Sequence, residues 1–184
     1  MTGPVAVLDA DVLVPILSCD LLLTAFDHDL YQPIITSKIF DEVERNLLRS
    51  SPHLDADALR RRVDQMRQAL ALHTRPDADG GDALEGINRK DRHVVAVALA
   101  HTANIVVTND RRLRQEVAAL GQPLRAVSAD DFAVGLLGHD RDGVEQVIDA
   151  LVAKRVRRLV TREELLDQLV GALPSFVTAL KRNR

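Results

Sequence analysis

Two stretches of the chain, Val5-Ala-Val-Leu-Asp9 and Ile105-Val-Val-Thr-Asn-Asp110, decide the fold that we predict. Each is a short apolar run, typical of a buried strand, that ends in an acidic residue. Helical patterns lie between them, and strands that alternate with helices indicate an α/β protein with a mostly parallel sheet. In such a sheet, functional groups gather at the carboxyl ends of the strands, where the strand order reverses. If the two strands are neighbours there, Asp9 and Asp110 face one cleft.

Apolar spacing predicts the remaining elements. A second strand over residues 30–35 contains Pro33, which implies an irregular or edge strand because proline cannot donate to the ladder. Residues 75–90 read as a loop. Helices are predicted at about 12–26, 37–47, 59–70, 91–99 and 113–120, and from 128 onward with starts at Ser128, Thr161 and Pro174. Two parts follow: a sheet-containing domain over residues 1–127 and a helical C-terminal extension over residues 128–184, packed on or beside it.

The composition excludes several classes of protein. With 184 residues, 46% of them hydrophobic and 28% charged, the chain can bury a core, which excludes polar-biased disorder. No 18-residue stretch is free of charged residues, so we expect no membrane span. The single cysteine, Cys19, excludes an internal disulfide and a multi-cysteine zinc site. We therefore expect a protein of the reducing cytoplasm.

The charge is unevenly distributed along the chain. Residues 1–59 hold ten acidic and three basic side chains, whereas residues 60–184 hold 17 acidic and 21 basic ones. This asymmetry suits a polyanion held against a cation site, although solvated helix faces give the same count. The basic run Lys154-Arg-Val-Arg-Arg158 could contact such a polyanion or form a solvated helix face. One Tyr, four Phe and no Trp exclude a stacking platform of the single-strand-binding kind.

The acidic residues predict a metal site. Two carboxylates a few ångströms apart repel each other and stay ionised only when a cation lies between them. Oxygen ligands without cysteine favour Mg²⁺ or Mn²⁺ over zinc. A second interpretation stays open, since Asp9 or Asp11 could cap the helix after the first strand and Asp110 the helix after the second. Asp91 equally suits a helix N-terminus, and Glu42 a solvated helix face.

Taken in order, Asp9, Glu42, Asp91 and Asp110 resemble the acidic quartet of the PIN-domain nucleases. Their separations, 33, 49 and 19 residues, also fit. The stretches that carry the resemblance are Val7-Leu-Asp-Ala-Asp-Val-Leu13, Ile39-Phe-Asp-Glu-Val-Glu-Arg-Asn-Leu47, Asp91-Arg-His-Val-Val-Ala-Val-Ala-Leu99 and Ile105-Val-Val-Thr-Asn-Asp110. Together they cover roughly residues 5–127. The Asp-Arg-His-Val segment and the helical tail are similar to a larger bacterial subgroup of PIN proteins.

The resemblance implies a three-layer α/β/α sandwich with a central, mostly parallel sheet, in which residues 1–127 are the catalytic domain. PIN domains bind Mg²⁺ or Mn²⁺ through their acidic residues and hydrolyse phosphodiesters, usually in RNA. By this resemblance Asp9, Asp91 and Asp110 are catalytic metal ligands, and Glu42 binds the metal or orients the attacking water. Many bacterial members, the VapC-type ones, are toxins of toxin–antitoxin pairs. They are commonly homodimers, silenced by a small antitoxin protein.

Two places depart from the family pattern. Position 11 is Asp, where the family more often has Ser, Thr or Asn, and the extra charge either strengthens metal binding or caps a helix. Arg89 and Lys90 are basic where the subgroup tends to be acidic, and their charge suits RNA phosphate. His93, beside Asp91, is an ambiguous candidate for substrate contact.

Two other functions stay open. Val7-Leu-Asp-Ala-Asp-Val-Leu13 is also similar to the first motif of haloacid-dehalogenase-like phosphatases, in which the first Asp is a nucleophile and the second a general acid. Gly81-Asp82 resembles their late acidic element, but position 86 is Gly where a second Asp is needed, and no lysine lies between Lys38 and Lys90. The non-enzymatic alternative is a PIN-like interaction module with a silent site.

If the carboxylates do converge, added Mg²⁺ or Mn²⁺ should raise the melting temperature.

Overall fold

The computed structural model describes residues 3–79, 81–155 and 160–182, apart from the side chains of residues 82 and 83. Its sheet has four parallel strands in the order β2-β1-β3-β4. The strands are β1 (Val5–Leu8), β2 (Gln32–Ile34), β3 (Ile105–Val107) and β4 (Arg125–Val127). The central strands β1 and β3 are apolar and almost wholly buried, as strands covered on both faces are. The predicted α/β fold with a parallel sheet is confirmed.

Helices flank the sheet and continue beyond it. In the described residues they are α1 (Ala10–Leu13), α2 (Ile16–Asp27), α3 (Ser37–Ser50), α4 (Ala56–Ala69), α5 (Arg92–Ala100), α6 (Arg111–Ala119), α7 (Ala129–His139), α8 (Arg141–Ala153), α9 (Arg162–Val170) and α10 (Pro174–Arg182). Ser128 caps α7, Thr161 and Glu164 form a capping box on α9, and Pro174 begins α10. These predicted helix starts are confirmed.

The single helix predicted over residues 12–26 is interrupted, so that prediction was wrong. Helix α1 ends at Leu13, and α2 begins only after Pro15. The break follows from proline chemistry, because Pro15 has no N–H to donate into a continuing helix. The guanidinium of Arg62 on α4 satisfies carbonyl groups at the break, 3.1 Å from the oxygen of Leu13 and 3.0 Å from that of Val14. Helix α4 is thereby tied to the segment that follows β1.

Both outer strands are short. The strand predicted over residues 30–35 is reduced to β2, which lies at an edge of the sheet and contains Pro33, as its missing N–H requires. The opposite edge is β4, which the sequence analysis did not predict. Its three residues begin with an exposed Arg125, so it lacks the apolar run that identified β1 and β3.

The loop predicted over residues 75–90 is anchored in its second half. A short 3₁₀ helix spans Gly81–Leu84, and the side chains of Leu84 and Ile87 are buried. The N–H of Asn88 donates to Oε2 of Glu116 on α6 at 2.8 Å. These contacts fix the segment that leads into α5.

The C-terminal helices pack directly on the sheet-containing part of the chain. Helix α8 lies against α2, while α10 packs on α7 within the extension. The ring of Phe132 on α7 meets that of Tyr31 edge to face, with centroids 5.1 Å apart. On α8, the side chain of Lys154 reaches Thr24 of α2, with Nζ 3.1 Å from Oγ1. Buried apolar residues of both parts form one continuous core. The division between residues 127 and 128 stays a prediction.

Two sequence expectations concern segments outside the sheet. Residues 156–158 of the basic run that starts at Lys154 lie outside the described residues, and Arg155 donates to Oε1 of Gln168 at 2.8 Å. In the described part of the chain, no helix combines the length and the apolar character that crossing a bilayer requires.

Candidate functional site

The strand order reverses at the centre of the sheet. From β1 the chain crosses to β2 on one side, and later to β3 on the other side of β1. Strands β1 and β3 pair directly, with Leu8 opposite Val107. Asp9 follows β1 immediately, and its N–H donates to the carbonyl oxygen of Val107 at 3.0 Å. Because Asp110 lies three residues beyond the end of β3, both predicted acids lie at this crevice, where ligands bind in open α/β sheets.

The hydroxyl of Thr108 joins the two strand ends. It donates to Oδ2 of Asp9 at 2.7 Å and lies 3.3 Å from Oδ2 of Asp11. It also accepts the N–H of Asp110 at 3.1 Å. The other oxygen of Asp11 accepts the N–H of Asn109 at 3.0 Å. Since Thr108 is fully buried, these bonds fix the positions of both carboxylates of the Asp9-Ala-Asp11 segment.

Asp110 has two distinct oxygen environments. Its Oδ1 caps α6 by accepting the N–H groups of Arg112 at 2.8 Å and Leu113 at 3.2 Å. The capping interpretation is therefore correct for this oxygen. Its Oδ2 points elsewhere and lies 3.6 Å from Nζ of Lys90. The same ammonium lies 3.6 Å from Oδ2 of Asp91, which begins α5 without a side-chain capping bond. A lysine thus lies between two of the predicted metal ligands.

Glu42 lies on α3, opposite the strand ends. Its Oε2 is 3.4 Å from Nε2 of His93, and its Oε1 is 3.5 Å from Nη2 of Arg45. The other ring nitrogen of His93, Nδ1, lies 2.9 Å from the carbonyl oxygen of Lys90, to which it can only donate. The ring of His93 is buried behind Glu42. The structure therefore places the His93 ring beside Glu42 and the Lys90 backbone, and its candidacy for substrate contact stays a prediction.

All four predicted residues line one cavity of about 510 Å³. Its acidic lining consists of Asp9, Asp11, Glu42, Asp91 and Asp110. Its other polar residues are Arg45, Asn46 and Arg49 of α3 and Lys90 of the loop before α5. The structure thus brings the four acids together, adds Asp11, and places basic groups beside them.

Burial makes the acids at the end of β1 weak. Burial and, after it, the charge of Asp11 raise the pKa of Asp9 from 3.8 to about 6. Burial likewise raises the pKa of Asp11, although the N–H of Asn109 opposes the shift. Burial also raises the pKa of Asp91, against the effect of the nearby Lys90 ammonium. A cation in the cavity would relieve these three groups, because it favours their charged forms.

The other two acids are held in their charged forms. Burial of Asp110 acts against ionisation, but the N–H groups of Leu113 and Arg112 outweigh it and lower the pKa of Asp110. For Glu42, burial is likewise outweighed by the contact with His93, and its pKa is lowered. The cavity therefore combines strong and weak acids around one space.

The donors fit Mg²⁺ or Mn²⁺ in kind. Carboxylate oxygens without a thiol are the ligands these ions prefer, and burial raises the pKa values of Asp9, Asp11 and Asp91. The distances between these side chains fit a metal ion less well than their chemistry does. Among the residues that the structure describes, no three carboxylate, imidazole or thiol side chains form a group able to hold one metal ion. Lys90 lies between Asp91 and Asp110, so metal binding requires its ammonium to move aside.

The sequence analysis did not assign several residues of the cavity. Thr108 was identified only as the end of a strand, and its bond to Asp9 depends on the pairing of β1 with β3. Arg45, Asn46 and Arg49 could have been found, because they follow Glu42 at three, four and seven residues and therefore share its face of α3.

Comparisons with known proteins identify the family of the chain. A family model of the PIN domain matches residues 5–112, a span that contains all four predicted acids. A protein of Mycobacterium tuberculosis named "Putative ribonuclease VapC50" is 29% identical over 93 residues, which cover 50% of this chain and 55% of that protein. The chain thus matches only about half the length of this relative. No solved structure matches. Since the family match extends over more than half of the residues, the chain belongs to the PIN-domain family.

Proposed function

We propose that this protein is a Mg²⁺- or Mn²⁺-dependent endoribonuclease that hydrolyses phosphodiester bonds of RNA. The observation that carries the proposal is the cavity at the carboxyl ends of β1 and β3, which Asp9, Glu42, Asp91 and Asp110 line together in a chain of the PIN-domain family. The haloacid-dehalogenase-like alternative loses its support with the family match, and its Asp82 side chain lies outside the described residues.

Asp9, Asp91 and Asp110 would hold the metal. A bound Mg²⁺ or Mn²⁺ would polarise the phosphate and lower the pKa of a water for in-line attack. Thr108 keeps Asp9 oriented toward the cavity by its 2.7 Å bond. The α6 cap occupies one oxygen of Asp110 and leaves the other, Oδ2, facing Lys90 in the cavity.

Glu42 would bind the metal or orient the attacking water. It lies on the helix opposite the strand ends, and its two oxygens lie 3.4 Å from Nε2 of His93 and 3.5 Å from Nη2 of Arg45. These contacts keep the carboxylate ionised, which a group that accepts a hydrogen bond from water requires. The arrangement needs no serine or cysteine nucleophile.

We further propose that the protein is the toxin of a type II toxin–antitoxin pair. The relative from Mycobacterium tuberculosis carries a VapC name, and family members of that type act in the cytoplasm, commonly as homodimers that a small antitoxin silences. The inference rests on this relationship, so a small reading frame beside the gene, whose product binds and inhibits the protein, is the supporting observation to seek.

The test is cleavage of total RNA by the purified protein, with Mg²⁺ or Mn²⁺ and with EDTA. Cleavage that needs the metal and is lost in Asp9→Asn supports the proposal. The matched control is Asp64→Asn, which removes an exposed acid of α4 that does not line the cavity. If Asp64→Asn abolishes cleavage as completely as Asp9→Asn, the acidic cavity is not the active site.

A silent interaction module is the second candidate, and one observation favours it. Lys90 lies 3.6 Å from both Asp91 and Asp110, where a metal would bind. Wild-type and Asp9→Asn proteins that slow cell growth equally, without RNA cleavage or metal binding, would favour this candidate over the nuclease.

A further inference from the structure

Helix α3 presents a basic strip to the acidic cavity. We define the α3 strip as Arg45, Asn46 and Arg49, which line the same cavity as the five acids. The strip begins three residues after Glu42 and ends seven residues after it, so it extends about 10 Å along the helix axis from the predicted catalytic carboxylate. The strip therefore lines the part of the cavity that extends along α3 away from Glu42.

Basic residues are few in the part of the sequence that contains these arginines. Residues 1–59 carry ten acidic side chains and only three basic ones, Lys38, Arg45 and Arg49. All three lie on α3, and two of them line the cavity. Two of the three cations of this acidic segment therefore line the cavity that holds the five acids.

The contacts of the strip leave its charge only partly neutralised. Arg45 pairs with Glu42 at 3.5 Å, but its side chain is 70% exposed, and an exposed pair of this kind is weak. Nη2 of Arg49 donates to the neutral Oδ1 of Asn46 at 3.1 Å. In the described part of the chain, no carboxylate lies within 4.0 Å of the Arg49 guanidinium. Each guanidinium has five N–H donors, most of which remain for a ligand that carries several acceptor oxygens.

The lining of the cavity also indicates which part of an RNA ligand it would contact. None of its lining residues is aromatic, so bases have no side chain on which to stack. Arginines that meet phosphate oxygens position a strand without reading its sequence. We infer that the α3 strip binds the phosphate groups of single-stranded RNA that flank the bond to be cleaved. This inference rests on the proposed nuclease function and assigns the substrate-binding residues that the sequence left unknown.

The salt dependence of RNA binding tests this inference. Each phosphate neutralised on a single strand adds about 0.7 to the slope of log affinity against log salt. We expect the double variant Arg45→Gln/Arg49→Gln to bind a fluorescent RNA oligonucleotide more weakly and to lose about 1.4 of that slope. Binding is measured by anisotropy with Mg²⁺ present, in the Asp9→Asn background that keeps the RNA intact. The control Arg60→Gln/Arg61→Gln makes the same charge change at exposed arginines of α4 that do not line the cavity, and it should keep the slope.

A slope equal to that of the α4 control would overturn the inference, as would a parent protein that binds no RNA at any salt concentration. Thermal melting separates a lost contact from a lost fold. If the glutamine variant melts early, Arg45→Lys/Arg49→Lys takes its place, and retention of the slope by lysine supports a phosphate contact because only charge is kept. If the protein that keeps Asp9 cleaves RNA but the slope of the arginine variant is unchanged, the nuclease proposal holds and the role of the α3 strip is wrong. A lost slope without cleavage leaves an RNA-binding cavity that is not a nuclease.

Discussion

The carboxyl of Asp9 has a folded-state pKa of about 6, above the 3.8 of an exposed aspartate. Between about pH 4 and 6 the Asp9 carboxyl is therefore protonated in the folded protein more often than in the unfolded chain. The stability of the fold falls as the pH rises through that window. Above it, the buried charge destabilises the fold by roughly 1–3 kcal/mol. We expect Asp9→Asn, in EDTA, to be more stable than wild type at about pH 8 by roughly 1–2 kcal/mol, with the advantage vanishing near pH 4. Urea unfolding at several pH values measures this difference.

The control for Asp9 is again Asp64→Asn, which should shift stability little at any of these pH values. An Asp9→Asn protein that is equally destabilised at both ends of the pH range would contradict the argument. It would mean that the bonds of Asp9 to Thr108 and to the N–H of Ala10 outweigh the burial of its charge.

If Asp91 and Asp110 hold a metal, as we propose, the Lys90 ammonium competes with that metal for both carboxylates. Its ammonium lies 3.6 Å from both carboxylates, and its side chain is 64% exposed, so each contact is weak and the lysine can leave. Replacing it by methionine keeps a long side chain but removes the charge. We expect Lys90→Met to bind Mg²⁺ more tightly than wild type, by up to about tenfold. Isothermal titration calorimetry measures the affinity directly.

Lys181→Met is the matched control, since Lys181 pairs with Asp167 on the distant C-terminal helices and does not line the cavity. It should leave Mg²⁺ affinity unchanged. Weaker Mg²⁺ binding by Lys90→Met would show that the lysine arranges the ligands rather than competing for them.

At the scale of elements, strands buried on both faces were the easiest to predict. β1 and β3 read as unbroken apolar runs, because both faces of each strand are almost wholly covered. β4 was missed since its three residues begin with an exposed arginine. Pro15 was visible in the sequence, but its effect on helix continuity was overlooked. Helix capping by Thr36, Ser128 and Thr161 was predictable because it depends on residues close in sequence.

The candidate site was predictable only in part. Asp9 and Asp110 follow strands whose pairing the α/β pattern implies, so their proximity could be inferred before the structure. Lys90 is different, because its place between Asp91 and Asp110 depends on how the loop before α5 is anchored by Leu84 and Ile87. That anchoring is a tertiary effect without a local pattern. The same holds for His93, whose burial behind Glu42 no neighbouring residue indicates.

Helix α8 approaches the sheet-containing part closely at Gly143. A Cβ at this position would lie 2.5 Å from Oδ2 of Asp140, which caps α8, and 2.5 Å from Cδ2 of Leu30. We expect Gly143→Ala to destabilise the protein by about 1–2 kcal/mol, because the cap and the leucine must both shift. Gly135→Ala on α7 is the control, and we expect it to change the stability in the opposite direction. A Cβ there meets no atom within 4 Å, and alanine stabilises a helix by up to about 1 kcal/mol. Chemical denaturation compares the two, and equal stability changes would contradict the close packing of α8.

On the scale of the whole molecule, the C-terminal helices contribute buried residues to the core that the sheet-containing part also forms. Three contacts at separate places cross the predicted boundary: Phe132 with Tyr31, Lys154 with Thr24, and the close approach of Gly143 to Leu30. The buried residues on either side belong to one cluster. A fragment of residues 1–127 would expose the α2 surface that α8 covers.

We therefore expect the full chain to melt in a single cooperative transition, and the 1–127 fragment to show no cooperative transition at all. The physical reason is the marginal stability of domains of this size, in which losing one face of the core exceeds the net free energy of folding. Circular dichroism melting of both proteins at equal concentration measures this. A fragment that melts cooperatively near the temperature of the full chain would contradict the expectation, and would make residues 128–184 a separate unit. Cleavage activity adds a second measure, because Asp9 and Asp110 stay adjacent only while β1 and β3 remain paired. If the fragment retains metal-dependent cleavage, the sheet holds its site without the extension.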